Sequence, residues 1–279
     1  MILPRLLTAI IGIPLILLCI HFGGVSYFLL ITVIVLFSLQ EYFFIAEKRN
    51  YSVQKITGYF FGLLVLSSVF LAGTEIISPG KNQITSIILT MCLIIFFLYE
   101  IIISRITNRE PHNSIQRISV TFLGIFIICW TFGHLLLLRD IKPDGDKYTY
   151  FLFILIWITD TAAYLIGTKF GKHQLARNIS PKKTIEGAIG GIIFGVISGI
   201  VMWKTFPLKE FSHKEVIVIT LVLIILAYIS DLSESLLKRE AGIKDTDSLL
   251  PGHGGFLDRF DSFLFTTPVF YYYISIFHK

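Results

Sequence analysis

Residues 148–168 read YTYFLFILIWITDTAAYLIGT, a run in which Asp160 is the single charged residue. About 20 predominantly apolar residues suffice for a helix to cross the hydrocarbon of a bilayer. A helix that is apolar on every face belongs in a membrane or a large core rather than on the surface of a soluble domain. Outward from this stretch the pattern repeats along the whole chain. Nine candidate spans are predicted, at roughly 5–22, 25–46, 56–78, 84–104, 118–138, 148–168, 185–203, 215–232 and 262–278. The composition agrees: 54% of residues are hydrophobic, 15% are charged and the mean hydropathy is +0.75. Soluble domains carry about 25% charged residues. The expected fold is therefore all-α, a polytopic membrane protein with about nine transmembrane helices, divided into an N-terminal membrane region at 1–140 and a C-terminal one at 141–279.

The charges orient the spans. With the N-terminus inside, about two thirds of the 24 Lys and Arg residues fall on the cytoplasmic side, the bias expected of membrane proteins. This arrangement puts the C-terminus outside and the two most charged loops, 169–184 and 233–261, together at the cytoplasmic face. The net charge of +5 comes without a basic stripe interleaved with aromatics, so no nucleic-acid partner is expected. Cys19, Cys92 and Cys129 all lie in apolar runs, which argues against disulfides and a thiolate metal site. The first span follows Arg5 and lacks a convincing small-residue cleavage site, so it is read as a retained span.

Three segments carry polar chemistry. In TDTAAYLIGTKFGKH, from Thr159, the intramembrane Asp160 costs about 2.5–3.5 kcal/mol to insert and should face a polar cavity; a structural pairing with Lys or Tyr is the alternative. Gly167 and Gly171 permit close backbone approach, to a ligand or to another helix. In NISPKKTIEG, from Asn178, Ser180 reads as a helix N-cap with Pro181 at the first helical position. Lys182, Lys183 and Thr184 then fall in the first turn. Lysines oppose the helix dipole there, which suggests a bound anion; a purely topological role is the alternative. Glu186, one turn on, is expected to pair with a lysine.

The third segment is SDLSESLLKREAGIKDTDSLLPGHGGFLDRFDSF, from Ser230. Asp231, Glu234/Ser235 and Lys238 share one helix face. Gly242 terminates that helix, and Pro251–Gly255 must turn tightly. Asp258 and Asp261, at i and i+3, open the last span. Carboxylates with several cations at one membrane edge suit Mg²⁺ and phosphate groups. His253 admits two readings, an acid, base or ligand on one hand and support of the loop on the other, of which loop support is favoured.

The string SLLKREAGIKDTDSLLPGHGGFLDRFD, preceded by SDLSES, resembles the defining motif of the phosphatidate cytidylyltransferases (CDP-diacylglycerol synthases). DTAAYLIGTKFGKH and ISPKKTIEG resemble the same family, so that the likeness covers mainly residues 157–265. It implies a nucleotidyltransferase of phospholipid biosynthesis that converts CTP and phosphatidate to CDP-diacylglycerol and diphosphate. It also implies a multi-pass protein of a bacterial-type inner membrane, with the active site facing the cytoplasm and room for a homodimer. The resemblance implies Mg²⁺ as cofactor, held by Asp231 and Asp258, and a catalytic group of Asp231, Lys238, Asp258 and Asp261. Substrate contacts are expected from Asp160, Ser180, Lys182, Lys183, Thr184, Arg239, Lys244, Asp245, His253 and Arg259. This chain departs from the family pattern at Ser230, where Gly is usual, at Asp247, where a small residue is usual, and at Arg177, where Pro is common.

The implied reaction is in-line attack of the phosphatidate phosphate on the α-phosphorus of CTP. The attacking oxygen is already ionised near neutral pH, so the task is to bring two polyanions together and stabilise departing diphosphate. The alternatives are a CTP-dependent enzyme acting on another membrane lipid, such as a polyprenol kinase-like protein or an ether-lipid cytidylyltransferase, and a transporter. Against a transporter, the polar groups gather at one leaflet rather than along a path across the membrane.

Overall fold

The computed structural model describes residues 3–73, 81–107, 112–206, 211–243 and 255–278, with side chains described from Ile10 onward in the first helix and from Gln83 onward in the fourth. The helices are α1 (Leu3–Phe22), α2 (Gly24–Lys48), α3 (Lys55–Gly73), α4 (Lys81–Thr107), α5 (Ser114–Gly124), α6 (Thr131–Asp140), α7 (Gly145–Phe170), α8 (Ile185–Thr205), α9 (His213–Glu240), α10 (Leu257–Phe260) and α11 (Phe263–Phe277). A π-helical turn, Ile125–Trp130, joins α5 to α6 without a break. The fold is all-α and polytopic, as expected from the apolar runs.

Among the described residues, seven helices are long and apolar enough to cross a membrane: α2, α3, α4, the continuous Ser114–Asp140, α7, α8 and α9. α1 adds a shorter apolar stretch, Ile10–Phe22, and α11 has 15 residues. α4 shows most plainly what surrounds the protein. Ile87, Met91, Ile94, Leu98 and Ile101 stand on its surface, an apolar face that water would not tolerate and that lipid accommodates. Its inner face sends Cys92 and Phe96, both fully buried, into the core beside Phe61 of α3.

The two ends of the bundle are built differently. At one, Arg139 donates from Nε to the Ile20 carbonyl (2.5 Å) and from Nη2 to the His21 carbonyl (3.0 Å), satisfying carbonyls that the end of α1 leaves open. At the other, Glu100 accepts from Arg117 Nε (2.9 Å), Arg117 Nη2 (2.7 Å), Ser114 Oγ (2.8 Å) and Gln54 Nε2 (2.7 Å), tying α4 to α5 and to the segment before α3. Tyr51 donates to Glu240 (2.8 Å) at this same end, which gathers the C-terminal ends of α2, α4, α7 and α9.

One expectation is corrected. Ser180–Thr184 is not a helix start but strand β2, paired antiparallel with β1 (Gln174–Ala176) in a small hairpin. The cap of α8 is Thr184, whose Oγ1 accepts from the Gly187 amide at 3.1 Å. The dipole explains the choice: starting at Pro181 would put two lysines in the first turn, whereas starting at Ile185 puts Glu186 there. Pro181 is tolerated because a two-stranded hairpin has only edge strands. Glu186 pairs with His173 rather than with a lysine, at 2.6 Å from Nδ1, and also accepts from the backbone amides of Lys172 and His173 at 3.0 and 3.2 Å. α9 ends at Glu240, and Gly242 takes φ +71°, in agreement with its reading as a terminator.

Candidate active site

α7 and α8 pack backbone to backbone. A Cβ on Gly187 would lie 2.7 Å from the Ala163 carbonyl and 3.1 Å from the Gly167 Cα, so only glycine allows this approach. Gly167 and Gly171 face Thr184 across the same contact, in a helix-packing role, and Gly167 also borders a cavity. That cavity, of about 520 Å³, lies beside the contact and is lined by Asp160, Ala163, Tyr164, Gly167 and Thr168 of α7, Ser180, Lys182, Lys183 and Thr184 of β2, Gly187 and Ala188 of α8, and Tyr228 and Asp231 of α9. Six of the sequence-predicted residues, Asp160, Ser180, Lys182, Lys183, Thr184 and Asp231, thus meet on one surface although up to 71 positions separate them in the chain.

The hairpin does what the expected helix start would have done, by other means. β2 carries Lys182 exposed at the cavity and Lys183 turned inward, where its Nζ forms an ion pair with Asp231 Oδ2. Asp160 is open to the cavity and lies within interaction range of Asp231, Lys183 and Ser262. The intramembrane carboxylate therefore meets both kinds of partner that insertion cost demands, a polar cavity and a lysine. Tyr228, which the sequence reading passed over, lines the cavity and donates from its hydroxyl to the Ala188 carbonyl at 3.1 Å. Arg239 uses Nε on the Ile179 carbonyl (2.9 Å) and Nη1 on that of Ile243 (3.2 Å). In this arrangement it pins the hairpin turn to the end of α9.

α9 and the segment 256–262 run past each other. The upper pair is Asp231 with Asp261, whose carboxyls lie within interaction range of each other. Burial, together with the charge of Asp231, pushes the Asp261 pKa well above the ordinary carboxylate range. Asp261 also accepts from the Ser262 amide at 2.5 Å, and its carbonyl accepts from the Ser230 hydroxyl. The lower group is Glu234, Lys238 and Asp258: Lys238, only 8% exposed, sits 2.7 Å from Glu234 Oε2 and in an ion pair with Asp258 Oδ1. Burial works against ionisation of Asp258, but hydrogen bonding with Glu234 and the Lys238 charge outweigh it and hold the pKa below the ordinary range. Arg259 is exposed on α10. The sequence-predicted Lys244, Asp245 and His253, with Asp247, lie outside the described residues.

The resemblance paired Asp231 with Asp258, but their closest charged partners here are Lys183 and Lys238 respectively, and the carboxyl that meets Asp231 is Asp261. Among the described residues no three His, Cys, Asp or Glu side chains form a ready-made metal nest. Mg²⁺ seldom requires one, since it keeps several waters and binds through one or two carboxylates together with substrate phosphates. Asp231 and its neighbour Asp261 supply hard carboxylate oxygens, a donor chemistry that would suit such a cation.

Glu41, like Tyr228, is a residue that sequence reasoning missed. Buried on α2 at 2% exposure, it accepts from the Phe256 amide on Oε1 (2.6 Å) and from the Leu257 amide on Oε2 (2.8 Å). The signal was present: a lone carboxylate inside an apolar run carries the same insertion cost that singled out Asp160.

A family model described as the cytidylyltransferase family matches residues 3–277. A phosphatidate cytidylyltransferase of Staphylococcus haemolyticus is 33% identical over 267 residues, which cover 95% of this chain and 96% of that protein. One of Bacillus subtilis is 38% identical over 159 residues, 57% of this chain and 58% of the relative. One of Staphylococcus aureus is 43% identical over 132 residues, 47% and 50% of the respective chains. The match reaches well beyond residues 157–265, to which the motif resemblance was confined.

Proposed function

The chain belongs to the cytidylyltransferase family, and from that premise we propose that it transfers the cytidylyl group of CTP to phosphatidate, giving CDP-diacylglycerol and diphosphate at the cytoplasmic face of the cell membrane. The observation that carries this reading is the cavity in which two lysines and two aspartates converge at one end of a multi-pass bundle. Both substrates are polyanions. Lys182, exposed at the cavity, suits capture of a phosphate, while Lys183 is inside, beside the carboxylates.

Tyr164, which lines the cavity, is exposed, and Leu165 of α7 and Ile185 and Ile189 of α8 are exposed apolar side chains. A lipid headgroup can enter there while its acyl chains stay in hydrocarbon. The phosphatidate phosphate needs no strong base to become a nucleophile, so the work of the chain is positioning and charge compensation. Asp231, with Asp258 as the resemblance implies and Asp261 as its immediate neighbour, would hold Mg²⁺. When bound, the ion neutralises phosphoryl charge on the attacked and departing groups. Lys183, paired with Asp231, is placed beside the cavity, where its ammonium would suit a phosphate oxygen. Lys238 keeps Asp258 ionised and in place.

The test is turnover by the purified protein in detergent with labelled CTP and phosphatidate, with and without Mg²⁺. Formation of labelled CDP-diacylglycerol and diphosphate supports the reading. Activity confined to polyprenol or ether-lipid acceptors in a parallel panel would replace phosphatidate with another lipid.

A further inference from the structure

We propose that Glu41 is a positioning residue for the reaction: from α2 it fixes the backbone that carries Asp258. This rests on the assignment of Asp258 to the active site made above. Asp258 lies one and two residues beyond the two amides that Glu41 holds. Those amides belong to the cap residue and the first residue of a helix of only four residues, too short to fix its own direction by internal hydrogen bonds. Both oxygens of one carboxylate are used, one per amide, so the segment is held against rotation as well as translation. A second contact from the same helix supports the grip, with Phe37 stacked on Phe256 at 4.8 Å between ring centroids. Asp258 and Lys238 lie within the electrostatic reach of Glu41, but its oxygens are engaged by backbone. Glu41 therefore acts through Asp258 and not on substrate.

The placement gives the N-terminal half a task in the chemistry. Without it, the chain around Asp258 would be held only from the C-terminal half, by Lys238 and Ser230 of α9 and by α11. Buried charge at a membrane edge is costly to keep, and a requirement for aim rather than for adhesion explains why a carboxylate stands where an apolar side chain would pack. A residue that orients a functional carboxylate through backbone resembles the outer shell of a metal site, whose loss costs about 10–100-fold in affinity or activity.

The experiment compares the full-length protein with Glu41→Gln and Glu41→Ala in detergent, by steady-state kinetics, melting temperature and amide hydrogen exchange of the segment 255–262. Gln preserves shape but offers one acceptor for two amides. The expected result for Glu41→Gln is faster exchange at 255–262 and a kcat lowered by about tenfold or more, with KM for CTP and phosphatidate held and the protein still fully folded at the assay temperature. Glu41→Ala should lose more turnover still. Wild-type exchange and kcat in Glu41→Gln would overturn the proposal. So would a loss of activity that merely tracks loss of folded protein. Should Glu41→Ala fail to accumulate, the isosteric variant decides alone. A wild-type protein without activity on phosphatidate would count against the assigned reaction instead, and exchange, which needs no turnover, would still judge the Glu41 contact.

Discussion

The Ser230 hydroxyl, fully buried, donates a hydrogen bond to the backbone carbonyl of Asp261, 31 residues further along the chain. It fastens α9 to the start of α11 beside the Asp231–Asp261 pair. This gives a reason for Ser at a position where the family pattern has Gly: the side chain supplies a donor that glycine lacks. Ser230→Ala should lower stability by about 1–3 kcal/mol, the cost of leaving a buried polar group unpaired. The change should appear as a lower melting temperature in detergent, with KM for CTP unaltered because Ser230 does not face the cavity. A variant as stable as the wild type would mean that the carbonyl finds another donor.

Lys182 and Lys183 are neighbours in sequence but not in environment. The first is exposed at the cavity, and the second is paired with Asp231. Lys182→Gln should raise KM for CTP or phosphatidate with little change in kcat, the pattern of lost uniform binding. Lys183→Gln leaves Asp160 and Asp231 without their cation and should lower kcat as well. Identical, wild-type-like kinetics in both variants would return the pair to a role in topology alone.

Lys238 is held by two carboxylates with little access to water. Breaking a buried charge cluster by removing one partner costs about 3–5 kcal/mol. Lys238→Met should therefore melt earlier as well as turn over more slowly, and Glu234→Gln in the same chain should restore part of the stability by removing one of the uncompensated charges. Additive effects in that double variant would show that Glu234 and Lys238 do not act as a unit.

Much of this was legible from the residues. The apolar runs set the helices to within a few positions, because a bilayer imposes one length on every span. The hairpin was not legible: Ser180–Pro181 is a good helix start by local chemistry, and what overrides it is the dipole's preference for Glu186 over two lysines, a comparison between two competing starts. The partnering of carboxylates was hidden for a different reason. Periodicity places Asp231 and Lys238 on one face, but which residue each meets depends on how the returning segment 256–262 is set against α9. That setting rests on contacts distant in sequence: the Ser230 hydroxyl on the Asp261 carbonyl, and the Phe256 and Leu257 amides on Glu41, more than 200 positions away.

Orientation follows from charge, and it can be tested apart from activity. In a background freed of Cys19, Cys92 and Cys129, single cysteines at Lys172, in the exposed loop before the hairpin, and at His278, after α11, should lie on opposite sides. A membrane-impermeant maleimide applied to whole cells should label His278→Cys and reach Lys172→Cys only after lysis. Labelling of both from outside would reverse or break the proposed arrangement.

On the proposed reading, the carboxylates are what hold the cation. Asn keeps the size of Asp and removes the charge that a hard cation needs. Asp231 stands where both candidate sets overlap: it is the partner implied for Asp258 and the observed neighbour of Asp261. Asp231→Asn should thus cut turnover by orders of magnitude whichever carboxylate completes the site. The other two separate the alternatives. If Asp258 shares the ion, Asp258→Asn should raise the Mg²⁺ concentration needed for half-maximal rate, while Asp261→Asn, which can still donate to Asp231, should leave it nearly unchanged. If Asp261 shares it, the order reverses. EDTA should abolish wild-type turnover and added Mg²⁺ should restore it. Turnover that persists after complete chelation, or an ordinary Mg²⁺ response in a well-folded Asp231→Asn protein, would remove the metal from the reaction and leave Asp231 as the counter-charge of Lys183.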